Sequence, residues 1–151
     1  MVARPIDVLR ITGNITWAIH EIDEFEVEGA DGSITTYDNT RIAFSPNWIG
    51  ALNVHYTIAD QFTVGLMNKV VGAQFLDNTS RARYRLDPYV IQDLRLAWDA
   101  PVPRAETFEL SVLVRNLTNR EYVSNGYVFY DVPYYYPQAG IHVLAGLRTR
   151  F

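Results

Sequence analysis

Apolar and polar residues alternate with a period of two in six runs of this chain, whereas helical periodicity is hard to find. In the first run Leu9, Ile11, Gly13, Ile15, Trp17 and Ile19 alternate with Val8, Arg10, Thr12, Asn14, Thr16 and Ala18. The second sets Trp48, Gly50, Leu52, Val54, Tyr56 and Ile58 against Ile49, Ala51, Asn53, His55 and Thr57. The third sets Phe62, Val64, Leu66, Asn68 and Val70 against Thr63, Gly65, Met67, Lys69 and Val71. The fourth opposes Val90, Gln92, Leu94, Leu96 and Trp98 to Ile91, Asp93, Arg95 and Ala97. The fifth opposes Phe108, Leu110, Val112 and Val114 to Glu109, Ser111, Leu113 and Arg115. The last carries Ile141, Val143, Ala145, Leu147, Thr149 and Phe151 on one phase, with His142, Leu144, Gly146, Arg148 and Arg150 on the other. Six strands are predicted.

Each phase is set by the apolar residues alone, so the charges test it independently. Arg10, Lys69, Asp93, Arg95, Glu109, Arg115, Arg148 and Arg150 all fall on the polar phase, and the apolar phase carries no charge. A soluble sandwich also alternates in this way. The connections and the aromatic residues separate the two readings. Ala59-Asp60-Gln61 and the stretch 99–105 are short, while the connections near 20–47, 72–87 and 118–138 are long. Short turns on one side and long loops on the other are expected of an outer-membrane barrel. With the short turns placed at the bottom, Tyr56, Phe62, Trp98, Phe108 and Phe151 lie low, and Trp17 and Trp48 lie high. Two aromatic girdles around an apolar band suit rings that sit at lipid headgroups. The fold expected is all-β: an antiparallel transmembrane β-barrel segment of about six strands, short of a closed barrel. The first long loop carries a hairpin of its own, 25–28 against 33–36, around the Asp31-Gly32 turn signal.

Composition narrows the function further. A net charge of −4 gives no basic face for nucleic acid, so no nucleic-acid partner is expected. With no cysteine, disulfides, thiolate metal sites and Cys nucleophiles are excluded. No stretch has the length and apolarity of a transmembrane helix. Met1 falls in what looks like a lower turn, and the start from Met1 to Asp7 lacks the apolar region of a signal peptide. No nucleophile–base pair, phosphate-binding glycine loop or catalytic carboxylate pair stands out, so neither enzyme activity nor a cofactor is expected.

The segment Asn116-Leu117-Thr118-Asn119-Arg120-Glu121-Tyr122, followed by Ser124-Asn125-Gly126-Tyr127, resembles a stretch near the end of TonB-dependent receptors. The tail from Tyr136-Pro137-Gln138-Ala139-Gly140 to Arg150-Phe151 resembles their last strand, which ends on an aromatic residue. Ser45-Pro46-Asn47, Gln74-Phe75-Leu76-Asp77-Asn78-Thr79 and Asp93-Leu94-Arg95 resemble the versions found in Bacteroidota. The resemblance implies that residues 1–151 are the C-terminal part of a barrel of about 22 strands. It also implies that the plug, the TonB box and the earlier strands lie elsewhere. The whole would sit in the outer membrane of a Gram-negative bacterium and import a scarce nutrient such as a ferric siderophore, haem or cobalamin. Its partners would be membrane lipid and lipopolysaccharide, the remaining barrel and plug, TonB through that plug, and the barrel-assembly machinery.

Several residues are candidates within that reading. Val143, Ala145, Leu147, Thr149 and Phe151 resemble the assembly signal, which an exposed strand edge can present by strand addition. Tyr127, Tyr130, Tyr134 and Tyr135 are candidate ligand contacts, because rings offer large contact area at low entropic cost. The competing reading is a loop packed on itself. The charged residues of the polar phase are expected to face the lumen and pair across strands or with the plug. Asp23, Glu24, Glu26, Glu28 and Asp31 match no calcium loop and suit a solvated face, and His20, His55 and His142 are too scattered for a metal site. The rival of another class is a self-contained β-barrel or lipocalin-like carrier for a small hydrophobic ligand. It would want its apolar face inside and about eight strands.

Overall fold

The computed structural model describes residues 1–29 and 31–151. Its strands are β1 (Val2–Ile6), β2 (Leu9–Trp17), β3 (Glu21–Glu28), β4 (Ile34–Arg41), β5 (Trp48–Ile58) and β6 (Phe62–Val71). They continue as β7 (Gln74–Phe75), β8 (Arg85–Leu86), β9 (Tyr89–Asp99), β10 (Thr107–Arg115), β11 (Val123–Phe129), β12 (Val132–Pro137) and β13 (His142–Arg150). Seven of them form one antiparallel sheet in the order β1-β2-β5-β6-β9-β10-β13. The sheet is open, with β1 and β13 as its edges. The other six strands form three two-stranded hairpins in the three long connections.

All six strands read from the alternation are present, and their register joins the six phases into one face. Trp17 pairs with Trp48, Ile11 with Val54, Val54 with Leu66, Val64 with Leu96, Val112 with Leu96 and Leu110 with Leu147. Directly opposed residues of a ladder share a face, so a misread phase in any one strand would have broken this continuity. The result is one apolar face, left open to the surroundings, with Ile15 74%, Trp17 70% and Leu147 62% exposed. At the short-turn end of that face the Phe62 and Trp98 rings stack, 5.8 Å apart and 4° from parallel. At the long-loop end stands the Trp17–Trp48 pair. Two polar residues on the apolar face satisfy each other: Gln92 donates to the Asn68 amide oxygen at 2.7 Å, and Asn68 donates to the Leu52 carbonyl at 3.1 Å.

The sheet departs from the sequence reading at its first edge. Residues 2–6 form a seventh strand that the alternation did not predict, and Met1, expected in a lower turn, stands at its start. Val2 pairs with Thr12 and Ala3 with Ile11, and Met1 and Gly13 exchange hydrogen bonds of 2.9 and 3.0 Å. The turn lies at Asp7–Val8 instead. Arg4-Pro5 breaks the alternation that marks the other strands, and the register shifts between Ala3 and Ile6. A proline that cannot donate to a ladder is tolerated on an edge strand. The open edge is therefore β1 together with the end of β2 beyond it.

The 59–61 turn and the 100–106 connection lie at one end, and the hairpin-bearing connections at the other. The first of these, β3–β4, is longer than the sequence suggested, pairing Glu21 with Arg41 through to Glu28 with Ile34. Its expected turn includes Ala30, which is outside the described residues; on either side, Gly29 N–H donates to the Ser33 carbonyl at 2.7 Å. The second connection brings β7 and β8 together around a 3-10 turn at Ala82–Tyr84. The third contains β11–β12, where a loop without secondary structure was expected. Its two turn residues, Tyr130 and Asp131, have φ of 45° and 65°. Positive φ at both central residues matches a hairpin turn of type I′, which normally selects Asn or Gly. Tyr-Asp carries that signal only weakly.

Buried side chains concentrate in these outer loops. Tyr84, with no exposed surface, packs with Leu76 and Leu86, and Val123 and Val128 of β11 close the cluster. Gly126 allows the hairpin to lie this close, because a Cβ there would collide with the Tyr134 carbonyl oxygen and meet the Leu76 side chain at 3.0 Å.

Candidate functional site

Three groups of residues carry the functional candidates: the corner that feeds the last strand, the polar face of the sheet, and the outer hairpin β11–β12.

The corner explains the Asn116–Tyr122 motif. Asn116 is buried with φ of 51°, a left-handed conformation that Asn tolerates better than most residues. Its amide donates to the carbonyls of Arg120 at 2.9 Å and Ala139 at 3.1 Å, and its oxygen accepts from Arg120 N–H at 2.9 Å. Its own N–H donates to the Asp93 carboxylate at 2.8 Å. Asn119, also left-handed at φ 49°, accepts from Ile141 N–H at 2.8 Å. A Cβ on Gly140 would come within 2.6 Å of that same Asn119 oxygen. Tyr122 completes the corner by packing on Tyr89, with ring centroids 4.6 Å apart. The motif therefore ties the end of β10 to the chain that enters β13. Asn116→Ala should cost about 1–3 kcal/mol, since it removes three hydrogen bonds made by a buried side chain. Asn116→Asp should lose the two donated bonds but keep the accepted one, and so fall between. Urea unfolding of the assembled barrel checks this; equal stability of all three proteins would dissolve the assigned role.

On the polar face, Arg95 pairs with Glu109 at 2.6 Å and Arg115 with Asp93 at 3.5 Å. The four charges are thus matched across neighbouring strands. Arg150 pairs with Glu106 at 2.9 Å. Arg10, Lys69 and Arg148 form no ion pair among the described residues. The His55 ring lies over Gly65, where a Cβ would meet it at 2.9 Å. Among the described residues no three His, Cys, Asp or Glu side chains converge as metal ligands. The acidic residues of β3 are all exposed along the hairpin, and Asp31 accepts from the Ser33 hydroxyl at 2.6 Å, which holds its carboxyl below the usual range.

The hairpin β11–β12 has two unlike faces. Gly126, Val128 and Pro133 turn toward the Leu76–Tyr84–Leu86 cluster, and Tyr135 follows them, donating from its hydroxyl to the Arg83 carbonyl at 3.2 Å. Tyr127, Phe129, Tyr134 and Tyr136 lie on the opposite face and are all exposed. Tyr127 stacks on Tyr134 at 5.1 Å and 10°, and lies 5.9 Å from Tyr136. Asn125 shares that face and lines a depression of about 490 Å³ with Phe44, Ile49, Lys69 and Tyr89. Ile49 and Lys69 belong to the polar phase of the sheet, so the base of the hairpin at Ser124 and Asn125 borders the polar side. Of the four candidate ligand contacts, Tyr127 and Tyr134 are brought together on this one face of the hairpin. Tyr130 sits at the turn, 85% exposed, and Tyr135 lies on the hairpin's other face, where it lines a cavity of about 730 Å³ with Arg85, Tyr89, Asn119 and Tyr122. Tyr136 completes the ladder and was not singled out; its place in it follows from a pairing register that the sequence does not display.

Nearly the whole chain superposes on stretches of solved receptors. With the siderophore receptor PiuA from Acinetobacter baumannii the TM-score is 0.79 over 97% of this chain, at 17% identity. The ferric-catecholate import receptor Fiu from E. coli K12 in its closed form gives 0.70 over 98%, at 18% identity. The ferric yersiniabactin uptake receptor FyuA from Yersinia pestis gives 0.68 over 98%, at 20% identity. The fold is that of a TonB-dependent receptor barrel segment. This chain spans only 20%, 20% and 21% of those three structures. No family model and no curated protein matches the sequence.

Proposed function

We propose that the chain is the closing stretch of an outer-membrane TonB-dependent receptor, whose whole takes up a scarce nutrient such as a ferric siderophore, haem or cobalamin. The observation that carries the reading is the single apolar face, continuous through the register of the sheet and bounded by aromatic pairs, with every charge of its six alternating strands on the other side. A lipid-facing barrel wall requires this arrangement. A soluble carrier requires the reverse, and no observation favours it. The similarity to uptake receptors supports a transport role, and the sequence variants at 45–47 and 74–79 support a Bacteroidota-like source.

In this reading Val143, Ala145, Leu147, Thr149 and Phe151 face lipid, and the free edge of β13 offers the backbone that the assembly machinery and the first barrel strand would bind. Arg10, Lys69 and Arg148 look into the lumen and are left for the plug, through which TonB would act. Arg95–Glu109 and Arg115–Asp93 are already matched and serve the wall. Tyr127 and Tyr134, with Tyr136, form the ligand-contact face at the mouth. Lipid and lipopolysaccharide surround the apolar band.

The reading fixes orientation: the connections 18–47, 72–88 and 116–141 lie outside the cell. Protease added to intact cells that make the complete receptor should cut within them, with the hairpin turns near 31 and 131 as the first targets. Sparing of all three loops in intact cells, with cleavage at 100–106 instead, is the result the reverse strand direction gives, and it would overturn the orientation.

A further inference from the structure

The three outer connections are joined to one another, and most of the joints run through the middle one. From the first, Arg41 N–H donates to the Ser80 hydroxyl and Ala43 N–H to the Asn78 amide oxygen, both at 2.7 Å, and Phe44 N–H donates to the Phe75 carbonyl at 2.9 Å. From the third, Ser124 accepts from the Gln74 amide at 3.0 Å, and β11 covers the Leu76–Tyr84–Leu86 cluster. One side chain touches all three. The Arg81 guanidinium lies 5.8 Å from the Tyr37 ring of β4 and 4.4 Å from the Tyr84 ring of its own loop. It pairs with Asp131, at the tip of the third loop's hairpin, at 2.7 Å. Thr79 and Asp77 hold it from beneath at 3.1 and 3.8 Å. Asp131 also accepts from Arg83 and from the Tyr84 hydroxyl.

We propose that Arg81 is the keystone that makes the three outer connections a single cooperative body, so that the hairpin bearing the tyrosine ladder opens only together with the other two. A planar guanidinium suits this position, since it stacks on rings with its faces while its edge binds carboxylates. The Tyr84 hydroxyl, Arg83 and Arg81 hold the Asp131 carboxyl below the usual range, Tyr84 having the largest effect. Contacts at the tyrosine ladder are then felt at β3–β4 without touching it. Such coupling needs a physically linked element that both places bias, and Arg81 with its partners is that element.

Amide hydrogen exchange on the complete receptor that carries this chain, in outer-membrane vesicles, tests the inference. Arg81→Met keeps the stem and removes the charge. It should speed exchange about tenfold or more in 34–44, 74–86 and 123–137 alike, while 90–98 and 107–115 stay protected. Acceleration confined to 74–86 would show three independent loops. Asp131→Asn, at an exposed turn, gives the second reading should the first variant fail to assemble. It should loosen 123–137 and also 34–44, with which it has no contact. A response in 123–137 alone overturns the proposal.

Discussion

Leu52→Arg and Leu96→Arg should each destabilise the assembled barrel by about 2–4 kcal/mol, the cost of a cationic side chain facing lipid near the midplane. Both residues stand on the apolar face, 49% and 42% exposed, and their ladder neighbours are themselves apolar or mutually satisfied. Val64 and Val112 flank Leu96 on both sides, so a guanidinium there finds no partner. Asn53→Arg should be mild. It is the very next residue of β5 after Leu52 but points to the polar face, where its amide donates to the Thr12 hydroxyl at 3.5 Å. A folding titration into bilayers reads all three. Equal losses at 52 and 53 would mean that the face assigned to lipid is wrong, and with it the membrane reading.

Produced alone, the chain should not form a stable closed monomer. The sheet ends in two open edges: the nine residues of β13 on one side, and β1 with the uncovered end of β2 on the other. In hydrocarbon each unpaired backbone group on those edges costs several kcal/mol, because no water replaces the missing strand. In water the same molecule presents an apolar face with Ile15, Trp17, Val143 and Leu147 each more than 60% exposed, beside strands ready to pair. Both features favour aggregation. The chain should therefore need further strands, from a longer polypeptide, a second chain or copies of itself. Light scattering and sedimentation in detergent-free buffer are the direct measurement. A monodisperse monomer with a cooperative melt would overturn this view and revive the soluble carrier.

The alternation made the sheet legible because a strand's periodicity is local: each residue's face is set by its neighbours two positions away, and no distant contact is needed to read it. Leu9 to Trp17, Trp48 to Ile58 and the four runs after them carry that signal in full, and the charges fall on the phase that the apolar residues leave. The short turns and long loops were equally local. The resemblance of Asn116–Tyr122 placed the end of the sheet, although what the motif does was not visible. Asn116 acts on Ala139, and Asn119 on Ile141, across 22 or 23 residues of intervening chain. Residues 2–6 were missed because Arg4-Pro5 erases the alternation, and β1 exists only because β2 offers it an edge. The hairpin β11–β12 was missed because Tyr130-Asp131 adopts a turn normally written with Asn or Gly. What holds it is Asp131 against Arg81 and Arg83, and Val128 against Tyr84, contacts about 50 residues apart in sequence. The sequence by itself determined which face of each strand is apolar and at which end the loops lie. Only the tertiary structure decided how the loops join and where the tyrosines point, since those depend on pairs of residues that no local period connects.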